Sequence, residues 1–318
     1  MSYIFDFKWG NPGSAPGQFN EPIGVAIDTS KHVYVVEEGS SRVQKFDKNG
    51  NSIGILGGNG IFANPLDVAV DSGGNVYVAD TGHNLIQKFG VSFNFIRSWG
   101  GHGTQDGQFD HPNGLGLDLA GNVYVADTVN GRIQKFNAQG VHIRTWSHDF
   151  SFPSDVAVDS GGNVFVADAA NNRIIKFGGS GTFIRSWGGL GTSDGQFKFP
   201  LGVATDSSGN VFVADKDNNR VQKFSNIGVF IKKWGSAGTG NGEFQSPWGI
   251  TVDSSGNVFV ADRVGDRIEE FTNSGGFVRT WGSSGTSSLS TSTPNTIVQT
   301  ENSDIQLDPF SNNPADIQ

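Results

Sequence analysis

Between Asp168 and Arg173 the chain reads DAANNR, which sets a carboxylate, two amides and a guanidinium within six residues. In isolation that is the polar cluster of an active site, with charges placed to hold a ligand or to pair with each other. The same pattern, however, recurs along the chain. SGGNVFVADAANNRIIKF at Ser160 has relatives at TSKHVYVVEEGSSRVQKF, SGGNVYVADTGHNLIQKF, LAGNVYVADTVNGRIQKF, SSGNVFVADKDNNRVQKF and SSGNVFVADRVGDRIEEF. Repetition supplies a control, because a residue type present in every copy is holding the copy together. The carboxylate column is Glu37, Asp80, Asp127, Asp168, Asp215 and Asp262, and the Arg column is Arg42, Arg132, Arg173, Arg220 and Arg267, with Leu85 as its departure. An Asp in a hairpin loop accepts backbone N–H bonds and pairs with Arg, so these columns are expected to be structural. The Asp leading each copy, from Asp28 to Asp253, is expected to form a turn.

Sites are therefore sought where the pattern breaks. Four residues before each leading Asp stand Gly24, Asp67, Gly114, Asp155, Gly202 and Gly249, at intervals of 43, 47, 41, 47 and 47 residues. Asp67 and Asp155 replace glycine, and they follow the two shortest connections, 11 residues from Leu56 and 9 from Trp146, against 15 elsewhere. His111 and Asn113 lie in the copy between them. Trp248 takes a position held elsewhere by Ile23, Leu66, Asn113, Ser154 and Leu201. There it is either a stacking platform for a ring or sugar, or a plug. Asp67, His111, Asn113, Asp155 and Trp248 are the ligand-binding candidates, and Asp67, Asn113 and Asp155 the candidates for holding a metal. Other matches lack context. GGHGTQDG at 100–107 has no strand–loop–helix setting for a phosphate loop, DSSGN lacks the acidic residues of a calcium hand, and the six His fall at different repeat positions.

Positioning these residues falls to strands. Gly numbers 46 and Phe 25 against a single Met, only 17 % of residues are charged, and almost no window carries apolar residues at helical spacing. Each unit of roughly 45 residues reads as four short strands, of the types GVAID, NVYVAD, RIQKF and FIRSWG, joined by Gly, Asn and Asp turns. Six such units predict an all-β, six-bladed β-propeller of four-stranded antiparallel blades over residues 1–282. Phe5–Trp9 matches the fourth-strand pattern, so a strand over 3–9 is expected to help close the ring, in competition with Phe277–Trp281. Residues 283–318, rich in Ser, Thr and Asn, read as a linker or disordered tail.

Blades two apart in a ring of six are separated by roughly 17 Å, so Asp67 and Asp155 are expected to face a water-filled pocket or small ligand rather than chelate one ion. The formal charge of −9 argues against nucleic acid, where phosphate contacts supply most of the affinity. The chain has no Cys, which removes disulfides and thiolate sites, and no apolar run long enough for a membrane helix.

The consensus P-x-G-V-A-V-D-S-S-G-N-V-Y-V-A-D-x-x-N-N-R-I-Q-K-F resembles the NHL repeat from about Trp9 to Gly282. The resemblance implies a six-bladed propeller and a range of functions, among them RNA binding, a peptide-amidating lyase, extracellular sensing and secreted microbial proteins. The lyase's His-ligated zinc has no aligned His set here. Calcium-dependent lactonases place acidic residues around an axial ion, which Asp67, Asn113 and Asp155 match in residue type only. The expectation is a monomeric, non-catalytic propeller, extracellular or secreted, without a cofactor. Its loop face would serve a protein, peptide or glycan, with a calcium-dependent hydrolase, lactonase or lyase as the alternative.

Overall fold

A computed structural model describes residues 12–58 and 60–282. Alternating β-branched and aromatic residues build blade 1 from β1 (Pro22–Ile27), β2 (Val33–Glu37), β3 (Arg42–Phe46) and β4 (Ser52–Gly57), hydrogen-bonded in that order. Five further four-stranded sheets follow: β5–β8, β9–β12, β13–β16, β17–β20 and β21–β24. They cover Pro65–Gly100, Pro112–Trp146, Pro153–Gly188, Pro200–Trp234 and Pro247–Gly282. All strand pairs are antiparallel, so the expected all-β, six-bladed propeller is the observed fold. No helix among the described residues is long and apolar enough to cross a membrane.

The turns follow from side-chain chemistry. Asp71 Oδ1 accepts the N–H of Gly73 at 3.0 Å and of Asn75 at 2.9 Å, while Oδ2 accepts from Asn75 Nδ2 and the Tyr77 hydroxyl. Such local bonds close the hairpin without help from other elements.

Between blades the core is aromatic. Trp99 packs edge-on to Tyr77 of its own blade at 6.3 Å and against Phe136 of the next at 6.1 Å. Gly140, at φ +74°, lies on the Trp99 ring, where a Cβ would come within 2.7 Å of it. Between blades 1 and 2 both partners change together: Leu56 stands for Trp and Phe93, at φ 64°, stands for Gly. The swap keeps the volume filled.

The ring closes by face packing, with Trp281 of blade 6 lying 6.1 Å from Phe46 of blade 1 and β1 against β21 (Pro247–Val252). Among the described residues the outer strand of blade 6 is β24 (Phe277–Gly282). The expected N-terminal strand over 3–9 and the tail over 283–318 lie outside the described residues.

Candidate functional site

The six carboxylates of the repeated column are fully buried. Asp127 shows the arrangement. Its Oδ1 accepts the N–H of Asp110 at 2.7 Å, and its Oδ2 accepts from Arg132 Nε at 2.6 Å and Gln134 Nε2 at 3.0 Å. Arg132 then reaches the carbonyls of Gln105 and Gln108, both at 2.8 Å, in the connection from the preceding blade. Carboxylate and guanidinium together tie a hairpin loop to an inter-blade connection, each satisfying a group that burial would otherwise penalise. The pairs Asp168–Arg173, Asp215–Arg220 and Asp262–Arg267 bond at 2.8, 2.7 and 3.0 Å. In blade 2, where Leu85 replaces Arg, Asp80 instead meets His83 Nδ1 at 2.8 Å. The DAANNR cluster resolves in the same way. Asn171 donates to Asp168 at 2.9 Å, and Asn172 closes a short 3₁₀ turn at φ 54°, with its Oδ1 accepting the N–H of Phe199 at 2.8 Å.

Blade 6 contains a departure that the sequence reading passed over. A third-strand Gln, at Gln44, Gln87, Gln134 and Gln222, donates its amide to the buried carboxylate at 2.6–3.1 Å. Glu269 takes that place in blade 6. Its Oε2 accepts the N–H of Gly242 at 2.9 Å, as Gln134 Oε1 accepts that of Gly107 at 2.8 Å. Its Oε1 occupies the place of the amide nitrogen and lies 2.9 Å from Arg267 Nε, whose hydrogen is directed at Asp262, so Oε1 receives no hydrogen bond. Burial pushes the Glu269 carboxyl up to about 8.

Asp67 and Asp155 stand on inner strands β5 (Pro65–Val70) and β13 (Pro153–Val158), each hydrogen-bonded to one strand of its own blade. Asp67 Oδ1 accepts its neighbour Val68 N–H at 2.8 Å, and Oδ2 reaches Leu115 N–H of blade 3 at 2.7 Å. Asp155 repeats this with Val156 at 2.7 Å and Val203 of blade 5 at 2.8 Å. Gly24 and Gly114 make room: a Cβ there would lie 2.7 Å from Asp67 Cα and 2.4 Å from Asp155 Cα. The inner strands thus approach closely, and the two carboxylates influence each other despite the two-blade separation. Burial, then the charge of Asp155, holds Asp67 well above the usual carboxylate range, and burial pushes Asp155 up to about 7. They line an axial cavity of about 180 Å³ whose other walls are mainly aliphatic, from Val25–Ile27 to Gly249–Val252. The cavity extends along the inner strands toward Ile27, Val70, Leu117 and Val252, away from the rim residues Leu66, Asn113 and Trp248.

The other three candidates lie elsewhere. His111, at φ 53°, pairs with Asp110 at 2.6 Å on the exposed loop face. Asn113 is buried in the rim. Trp248 is 4 % exposed, with Arg263 at 5.0 Å and Lys216 at 5.7 Å over its ring. An incoming ring would have to displace these cations, so the geometry is that of a plug. Beside it, Phe152 and Phe199 pack with their rings 5.6 Å apart, and Lys216 lies 5.4 Å from Phe199. These two aromatics precede Pro153 and Pro200, where blades 1–3 have Glu21, Asn64 and His111. That contrast is a readable signal in the sequence. Among the described residues no three His, Asp or Glu side chains converge as metal ligands.

Solved structures with the same fold do divergent things. A streptogramin B lyase superposes with a TM-score of 0.64 at 16 % identity, over 86 % of each chain. The Staphylococcus aureus virginiamycin B lyase bound to quinupristin gives 0.62 at 15 %, over 86 % of this chain and 87 % of that one. A chain from a nidogen/laminin complex gives 0.59 at 17 %, over 72 % and 84 %. At these identities the likeness shows the fold alone. No curated protein matches in sequence. The NHL repeat pattern matches residues 19–46, 62–89, 109–136, 150–177, 197–224 and 244–269, one copy in each blade. The chain belongs to the NHL repeat family.

Proposed function

We propose that this propeller is a non-catalytic recognition module whose loop face binds a protein, peptide or glycan. The observation that carries the reading is the cluster over blades 4–6, where Lys216 caps Phe199, Lys216 and Arg263 cap Trp248, and Phe152 packs against Phe199. With Trp248 and Phe199 buried, an anionic or hydroxylated group would meet the cations rather than the rings, in exchange for Asp217 at Lys216 and for Glu21 and Glu38 at Arg263. Rigidity supports it as well. Three of the inter-blade connections and the segment entering blade 1 carry the same short parallel bridge, such as His102 with Phe109, so the loops stand on a fixed scaffold. A peptide and glycan array is expected to give hits that Lys216→Ala weakens about ten-fold or more, with its melting temperature within a few degrees of the wild type. Hits that bind Lys216→Ala and the wild type equally would place recognition elsewhere.

The axial pair bears on the calcium-dependent alternative. Calcium takes six to eight oxygen ligands, whereas this wall supplies two carboxylates that already accept four N–H donors, amid aliphatic side chains. The residues suit a retained proton better than a divalent ion. Millimolar calcium is therefore expected to leave the melting temperature unchanged. A calcium-dependent rise that Asp155→Ala abolishes would restore the axial-ion reading.

A further inference from the structure

The outer strand of blade 1 departs from its relatives at four positions. β4 reads SIGILG where β8 (Phe95–Gly100) reads FIRSWG: Ser52 stands for Phe95, Gly54 for Arg97, Ile55 for Ser98 and Leu56 for Trp99. Leu56 is accounted for by Phe93, and Gly54 by the same ring, since a Cβ at Gly54 would meet Phe93 at 3.0 Å. Every other outer strand places a cation at the Gly54 position, namely Arg97, Arg144, Arg185, Lys232 and Arg279. Charged edge residues of this kind keep one sheet from pairing with another. Only β4 has no charged residue, and among the described residues its sole strand neighbour is β3.

Ile53 and Ile55, two residues apart and so on one face, are 49 % and 41 % exposed. At the position of Ile55 the other blades carry Ser98, Thr145, Ser186, Lys233 and Thr280. Among the described residues, blade 1 therefore presents an unpaired edge with two neighbouring isoleucines.

We propose that β4 is a self-recognition edge, through which two copies pair antiparallel about Gly54 and join their first blades into one continuous sheet. The occupant follows from the strand's own symmetry and charge. Ile53-Gly54-Ile55 reads alike in both directions, so a two-fold axis at Gly54 sets Ile53 of each copy opposite Ile55 of the other, an apolar cross-strand pair. The same arrangement at any other outer strand would oppose two cations, which is destabilising. Sterics agree, because the exit of β4 is Gly57 and Gly58, which have no side chains to block the turn at Asp47–Asn51 of the second copy. Association by one edge is a small contact and belongs to the weak class of interfaces. The propeller expected to be monomeric thus acquires a concentration-dependent partner, itself.

Sedimentation velocity from about 1 µM to about 1 mM tests this. The wild type is expected to pass from monomer to dimer within that range, and Ile55→Lys to weaken the dimer at least ten-fold. Blade 5 carries Lys233 at the equivalent position, so the blade fold accommodates a lysine there. Ser98→Lys, the same change in blade 2, is expected to leave the dimer unchanged, and Ile53→Lys serves should Ile55→Lys misfold. A wild type that stays monomeric throughout overturns the proposal. So does a dimer that folded Ile55→Lys or Ile53→Lys leaves intact.

Discussion

Asp127→Ala is expected to destabilise the protein by about 3–5 kcal/mol, lowering the melting temperature by roughly 10 °C, while Asp80→Ala should cost only about 1–3 kcal/mol. Both carboxylates are fully buried and both accept a backbone N–H, from Asp110 and Ala63 respectively. They differ in what their loss leaves behind. Removing Asp127 strands the guanidinium of Arg132, whose side chain is 11 % exposed, without its anion. Removing Asp80 strands a Gln87 amide and a His83 ring that is itself 46 % exposed and can turn to solvent. An unpaired buried charge costs more than an unpaired neutral donor, and that inequality sets the order. Calorimetric melts of the two variants check it. Equal losses would mean that the guanidinium contributes nothing beyond its hydrogen bonds.

Glu269→Gln is expected to remove a pH dependence and to stabilise the protein above neutrality. With a proton on Oε1, Glu269 can donate as the Gln of its sister blades does; ionised, it sets a second anion beside Asp262. The charged groups facing it are Arg267, which favours ionisation, and Asp262 and Glu243, which oppose it. Burial outweighs the guanidinium, so the native carboxyl titrates near 8, whereas an exposed Glu titrates at 4.5. The sign follows from linkage. The native state holds this proton more tightly than the unfolded state, so its contribution is complete below 4.5 and is lost as pH rises toward 8. Over that window the loss is on the order of a few kcal/mol, since each pH unit is worth up to about 1.4. Raised carboxyls at Asp67 and Asp155 act in the same direction in both proteins, so the difference between them isolates Glu269. Urea midpoints between pH 5 and 9 are expected to fall for the wild type relative to Glu269→Gln. Parallel curves would show that Glu269 is ionised throughout.

Much of the fold was legible because the chain states it six times. Blade number, strand pattern, the leading Asp turns and the pairing of Asp168 with Arg173 all follow from columns in which a residue type persists. What the columns hid were relations between blades. Trp248 reads as a rim aromatic, but its burial under Lys216 and Arg263 depends on residues 32 positions before it and 15 after it, in two different loops. Asp67 and Asp155 were visible as replaced glycines. Their mutual influence was not, because spacing the blades at the usual distance between stacked sheets ignores how closely glycine lets the inner strands converge. Glu269 was readable in its Gln column, yet its meaning needed the positions of Asp262 and Arg267.

The most direct test concerns the division of labour between the repeated carboxylates and the loop-face cluster. For a ligand taken from the array, its Kd would be measured by calorimetry for Asp127→Ala and Lys216→Ala, with the folded fraction of each fixed by melts. Asp127 lies in blade 3, away from the cluster over blades 4–6. Asp127→Ala is expected to melt early but bind with the wild-type Kd while folded, and Lys216→Ala to melt normally but bind weakly. An Asp127→Ala protein of undiminished stability that no longer binds would contradict the assignment of the repeated carboxylates to the fold.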